Sequence, residues 1–128
     1  MKLLLDTHAL IWFLAGKDQL SAVARNAIRD SGNSVLVSAV SAMEITTKFR
    51  LGKLPEAAML AEDFENQIAI RGFHALPLEI VHAVLAGSLA IPHKDPFDRM
   101  LIAQAQLEKA LLVSNEAIFD GFGVRRLW

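Results

Sequence analysis

Four acidic residues of this 128-residue chain stand where an apolar run gives way to a helix-like segment. Asp6 ends the run Leu3-Leu4-Leu5. Glu44 lies in Ser41-Ala42-Met43-Glu44, soon after Val35-Leu36-Val37. Asp98 lies in Asp95-Pro96-Phe97-Asp98, ahead of Leu101 and Ile102, and Glu116 follows Leu111-Leu112-Val113 within Ser114-Asn115-Glu116. A carboxylate at the end of a buried strand is costly without a partner. Several carboxylates within a few ångströms repel one another and stay ionised only against a counter-charge. No lysine or arginine adjoins Asp6, Glu44 or Glu116, and only Arg99 adjoins Asp98. A hard divalent cation meets that need, and all-oxygen ligation suits Mg²⁺ or Mn²⁺. One or two such ions in an open acidic pocket can drive phosphodiester hydrolysis.

Each acid also has a structural reading. Ser41-x-x-Glu44 fits a capping box, in which the glutamate satisfies the amides of its own helix. Asp95 followed by Pro96 fits an N-cap with proline at the first helical position, and Asp98 then sits in the first turn. Any acid there gains from the helix dipole by about 0.3–1 kcal/mol. Asp6 stands apart, because capping does not require an acid to end a three-leucine strand. The two readings part on whether the surrounding elements bring the four acids to one edge.

Leu3 to Leu5 reads as a strand buried on both faces, as in the middle of a parallel sheet. Leu10, Ile11, Phe13 and Leu14 make an apolar helix from Ala9 to Ala15, stopped at Gly16. Ser21 caps a second helix, bearing Leu20, Val23, Ala24, Ala27 and Ile28 and ending near Gly32. Val35 to Val37 is a short strand, and Ser41 opens a helix through Phe49 that closes near Gly52. After the break at Leu54-Pro55, Leu60, Phe64 and Ile68 predict one longer helix, ended by Gly72. Phe73 to Leu76 is a strand, Glu79 to Gly87 a helix, and Pro92 to Pro96 a loop. A helix from Phe97 to Lys109, a strand from Ala110 to Val113, a turn over Glu116 to Phe119 and a strand from Val124 to Leu127 follow. This alternation predicts a three-layer α/β domain over residues 1–128, its central, mostly parallel sheet of four or five strands flanked by helices. In a parallel sheet every strand-to-helix handover falls on the same edge, so the four acids are expected to converge.

Composition narrows the classes. A chain 53% hydrophobic and 21% charged is not disordered. No apolar run approaches the roughly 18 residues of a membrane span, and the single lysine before the first strand makes a poor secretory signal. Without cysteine there is neither a disulfide framework nor a thiolate zinc site. A cytoplasmic protein with no membrane partner is expected. The net charge of −1, from 13 bases and 14 acids, argues against holding nucleic acid by bulk positive charge. Setting the four acids aside leaves 13 bases against ten acids, a net +3 for the remainder.

Several stretches together resemble the PIN-domain ribonucleases, and within them the VapC-type toxins of bacterial toxin–antitoxin pairs. They are Leu5-Asp6-Thr7-His8, Ser38 to Ile45 with Lys48 and Arg50-Leu51-Gly52-Lys53-Leu54, His93 to Ala105 with Asp95-Pro96-Phe97-Asp98-Arg99 at its centre, and Leu112 to Phe119. The resemblance runs from Met1 to Trp128, and the Asp-Pro-Phe-Asp-Arg block is its most specific part. It implies a metal-dependent endoribonuclease, the toxin of a type II pair, using Mg²⁺ or Mn²⁺ to polarise the scissile phosphate and activate water. By the same resemblance Asp6, Glu44 and Asp98 fall on the family's metal-binding acids. Glu116 falls where the family commonly has a fourth acid, often aspartate, and its longer side chain suits contact through water. Ser114 matches a supporting hydroxyl, Thr7 is expected beside Asp6, and Asp95 is taken as the N-cap of its helix. An RNA substrate, a cognate antitoxin that blocks the pocket and a homodimer are the implied partners.

Lys48, Arg50, Lys53 and Arg99 are candidates to meet the flanking phosphates. The histidines His8, His74, His82 and His93 lack close metal-ligand spacing, and only His8 and His93 flank the acids. A general-base role is open to those two, against a polar packing role. Trp12 and Phe13 could stack a base but suit a core or an interface, and no glycine-rich phosphate loop is present. Two other functions compete. A phosphoryl-transfer domain with Asp6 as nucleophile would want a second acid two residues on, where His8 stands. A non-catalytic RNA- or partner-binding module would not need all four acids.

Overall fold

Leu3, Leu4 and Leu5, all fully buried, form the heart of β1 (Lys2–Leu5), the central strand of the computed structural model, which describes residues 1–128. On one side lies β2 (Ser34–Ser38) and beyond it β3 (His74–Leu76). On the other lie β4 (Leu111–Val113) and the edge strand β5 (Arg126–Leu127), giving the order β3-β2-β1-β4-β5. Every pairing is parallel, with Leu4 opposite both Leu36 and Leu112. The predicted α/β sheet is therefore observed with five strands, all parallel.

Side chains on a strand alternate between faces, and the two halves of the core follow that alternation. Leu3 and Leu5 pack with Leu10, Ala24, Ile28 and Ile45 on one face. These come from α1 (Thr7–Ala15), α2 (Ala22–Arg29) and α3 (Ala39–Arg50). Leu4 packs with Leu76, Leu101, Ile102, Ala105 and Phe119 on the other. Trp12 and Phe13 are half-buried against the first cluster, as a core role requires.

Three local expectations are corrected. The helix that Leu60, Phe64 and Ile68 predicted as one piece is two, α4 (Ala58–Glu62) and α5 (Phe64–Ala69). Asp63 breaks it at φ −146° and ψ 47°, its carboxylate accepting from Asn66 and Gln67; local bonding of this kind competes with helix continuation. Ser41 does not open α3. Ser38 does, its Oγ accepting from the Val40 amide, which moves Glu44 beyond the first turn and removes the capping box. The third concerns α1, which begins at Thr7 rather than Ala9 and has Asp6 as its N-cap.

The remaining helices are α6 (Ile80–Ser88) and α7 (Pro96–Glu108). Between these two, Arg99 donates to the carbonyls of Ala86, Leu89, Ile91 and His93 at 2.6–3.1 Å and fastens the loop 89–95 to the start of α7. Truncation of Leu4 leaves a cavity in the middle of the sheet. Leu4→Ala is expected to lower unfolding free energy by about 2–5 kcal/mol, read as a drop in the urea midpoint with the slope unchanged.

Candidate active site

The strand order reverses direction beside β1. Successive strands β1, β2 and β3 step one way, and β4 is then added on β1's free side. The crevice outside the carboxyl ends of β1 and β4 is where open α/β sheets bind ligands. Asp6 leaves β1 there, and Ser114 and Glu116 leave β4. Glu44, from α3, and Asp98, in the first turn of α7, reach the same place. All four predicted acids line one polar cleft of about 100 Å³, together with Thr7, His8, Lys48 and Asp95. A larger apolar recess of about 620 Å³ lies between α3, α5 and β3 and contains none of them.

Asp6 is only 7% exposed. Its Oδ1 accepts from the Ala9 amide at 2.8 Å, and the nearby Ser114 hydroxyl also favours its ionised form. Despite these bonds its pKa rises from 3.8 to about 6, because burial strips water from the charge and outweighs the hydrogen bonds; nearby Glu116 adds repulsion. As a cap alone, asparagine would serve as well without that cost. Capping accounts for the position of Asp6, not for its charge.

Glu44 is also buried, but its charge is matched. Thr7 Oγ1 donates to Oε1 at 2.6 Å, and Lys48 Nζ lies 2.6 Å from Oε2. Ser41 Oγ stands 3.2 Å from the same threonine oxygen. Thr7 thus serves Glu44, where the sequence placed it beside Asp6. The Glu44–Lys48 pair is an i,i+4 pair in the favourable order, a counter-charge that inspection of immediate neighbours missed. Asp98 meets a different partner: His93 Nε2 is 2.7 Å from its Oδ2. Desolvation still raises the Asp98 pKa, more than the His93 bond lowers it, with Asp95 and Glu116 adding repulsion. Asp95 is the N-cap of α7, as expected, accepting from the amides of Phe97 and Asp98. Glu116 is exposed at the mouth, its own amide bonded to Ser114 Oγ.

The donor set is hard oxygen, and the repulsion that Glu116 exerts on both Asp6 and Asp98 is the kind a small divalent cation relieves. In that sense the residues fit Mg²⁺ or Mn²⁺. No three acidic or histidine side chains converge closely enough to form a ready ligand set. Glu44 is turned to Lys48, and Asp98 gives one carboxylate oxygen to His93. Of the predicted phosphate contacts, Arg50 and Lys53 are exposed at the end of α3 and Lys48 lines the cleft. Arg99 is a correction: four of the five guanidinium N–H groups are taken by carbonyls of its own chain.

The PIN domain profile matches residues 3–124. The chain belongs to the PIN-domain family. No curated protein matches it in sequence. Among solved structures, this PIN domain is similar to VapBC2 from Rickettsia felis bound to a promoter DNA fragment, with TM-score 0.69 and 14% identity over 98% of this chain and 96% of that one. A toxin–antitoxin complex from Klebsiella pneumoniae gives TM-score 0.66 and 20% identity, covering 94% and 92% of the two chains. FitAcB from Neisseria gonorrhoeae gives 0.67 and 20%, covering 97% and 95%. At these identities the likeness is one of fold. No helix of this PIN domain is long and apolar enough to cross a membrane.

The raised Asp6 pKa makes a signed prediction for metal-free protein. A carboxyl displaced upward on folding stabilises the native state below pH 3.8 and withdraws that stability as pH rises to about 6. At pH 7 the deficit is on the order of 3 kcal/mol. Asp6→Asn keeps the cap and should be more stable than wild type by about 1–3 kcal/mol at pH 7 in EDTA. Urea titrations should show the gap closing as pH falls below about 4.

Proposed function

We propose that this chain is a divalent-metal-dependent endoribonuclease, the toxin of a type II toxin–antitoxin pair, in one domain spanning residues 1–128. Asp6, Glu44, Asp98 and Glu116 would hold Mg²⁺ or Mn²⁺. The observation that carries the reading is a desolvated, repelled Asp6 at the strand-order reversal, facing other acids across one cleft. PIN-domain membership and the likeness to toxin–antitoxin complexes support it.

When bound, the cation would polarise the scissile phosphate and activate water for in-line attack. The chain's own groups do the positioning. The Ala9 amide and the Ser114 hydroxyl fix Asp6, and the Thr7 hydroxyl fixes one oxygen of Glu44. With Glu44 holding a metal, Lys48 would be free to face a phosphate, with Arg50 at the end of α3 and Lys53 in the turn after it. The protein acts on RNA in the cytoplasm and is held in check by an antitoxin whose basic side chain enters the cleft.

A homodimer is part of the proposal. On α6, Ile80 and Val84 are 83% and 64% exposed, Val81 lies beside them, and the helix Ile80–Ser88 carries no lysine, arginine, aspartate or glutamate. An uncharged apolar face meets no repulsion from a copy of itself. Val84→Asp should convert a dimer of the purified chain to monomer in sedimentation, with the fold retained.

A second reading, a non-catalytic RNA- or partner-binding module, is favoured by one observation: Glu44 and Asp98 already have protein partners and no ligand set is preformed. Cleavage of defined RNAs in EDTA, Mg²⁺ and Mn²⁺ separates the two. The nuclease reading expects no cleavage in EDTA and restoration by either cation. Asp6→Asn and Asp98→Asn should each lower the rate by more than about 100-fold, beyond the usual effect of losing an outer partner. Undiminished cleavage by Asp6→Asn would sink it.

A further inference from the structure

The loop before α7 contains a histidine immobilised from three directions. The His93 carbonyl accepts from Arg99 Nη1 at 2.8 Å, so its main chain is tied to the first turn of α7. Its ring lies against two phenyl rings, with centroids 5.3 Å from Phe122 and 6.4 Å from Phe119. The third tie is Nε2, 2.7 Å from Asp98 Oδ2. Phe119 is fully buried in the core, so the ring rests on a rigid wall rather than a mobile loop.

An ionised carboxylate only accepts, so Nε2 carries the proton of this bond. Oδ2 is thereby occupied, while Oδ1 of Asp98 has no hydrogen bond from the protein. Without the imidazole, Asp98 on the outer turn of α7 would be free to sample its staggered rotamers. A carboxylate held by an outer partner and left with one free oxygen is the usual arrangement around a metal ligand. Packing alone would need an aromatic ring at this site but no nitrogen aimed at the acid.

We propose that His93 is a positioning residue: held by Arg99 and by Phe119 and Phe122, it fixes Asp98 so that Oδ1 is presented to a divalent cation in the cleft. This rests on the nuclease reading above. The residue acts through Asp98 and touches neither phosphate nor water. It also gives the one-turn segment Ala117–Gly121, with Phe122 after it, a second task beyond closing the core.

The test compares wild type with His93→Phe, which keeps an aromatic ring between Phe119 and Phe122, and His93→Gln, which restores an N–H near Nε2. Mn²⁺ binding is measured by calorimetry and electron paramagnetic resonance, cleavage of a defined RNA is followed against Mn²⁺ concentration, and folding is checked by thermal melting. His93→Phe should fold and should need about 10–100-fold more Mn²⁺ for half-saturation. The RNA cleavage curve should shift by the same factor, and His93→Gln should recover most of the loss. Wild-type Mn²⁺ affinity in His93→Phe overturns the proposal alone, as does a His93→Gln protein impaired as deeply as His93→Phe. A wild-type protein that binds no Mn²⁺ and cleaves no RNA overturns the nuclease reading and this one together.

Discussion

A charge kept out of water at the end of a buried strand organises this molecule. The run Leu3-Leu4-Leu5 is central and desolvated on both faces, and the residue that follows it inherits that environment. A neutral cap would satisfy the first amides of α1 equally well, yet the position holds an acid whose ionisation burial resists. Proteins retain such a group where its charge is used, and perturbed carboxyls gather at functional sites. Placing Asp6 at the strand-order reversal puts that cost where the fold also opens a crevice.

The other acids show how like charge is tolerated without a bound ion. Glu44 is neutralised within its own helix by Lys48 and steadied by Thr7. Asp98 shares a hydrogen bond with His93, and Glu116 remains in solvent at the mouth. Only Asp6 is left with neutral donors alone. The cleft is therefore graded from a fully paired glutamate to a nearly unpaired aspartate. A cation entering it would gain most at Asp6, whose desolvation is already present in the folded state, and would compete with Lys48 for Glu44.

Much of this was legible in the sequence because it depends on strand ends. A three-leucine run identifies the central strand, and the rule that parallel strands hand over on one edge brings Asp6, Glu44, Asp98 and Glu116 together without knowledge of strand order. What stayed hidden depends on angles and reach. Ser38 and Ser41 are equally good caps on paper, and only the path of β2 into α3 decides for Ser38. Asp63 looks like any polar residue in an amphipathic run until its side chain is seen bonding the next turn. Arg99 beside Asp98 reads as a phosphate contact, yet four carbonyls of the preceding loop converge on it. The i,i+4 spacing of Glu44 and Lys48 was a readable signal. The five-residue step from His93 to Asp98 was not, because it spans a loop.

Charge arithmetic bears on how a chain of net charge −1 meets a polyanion. Uniform attraction is excluded, so any affinity for a phosphate backbone must be local and conditional. The cleft supplies the condition. Its clustered carboxylates repel phosphate, and Lys48 is paired with Glu44. A divalent cation held by the acids would cancel two negative charges and leave the ammonium of Lys48, on the helix that carries Arg50, available to a phosphate. On the nuclease reading, binding of a phosphate backbone would be coupled to loading of the site with the cation. A site built this way would need no large basic surface to meet a phosphate backbone.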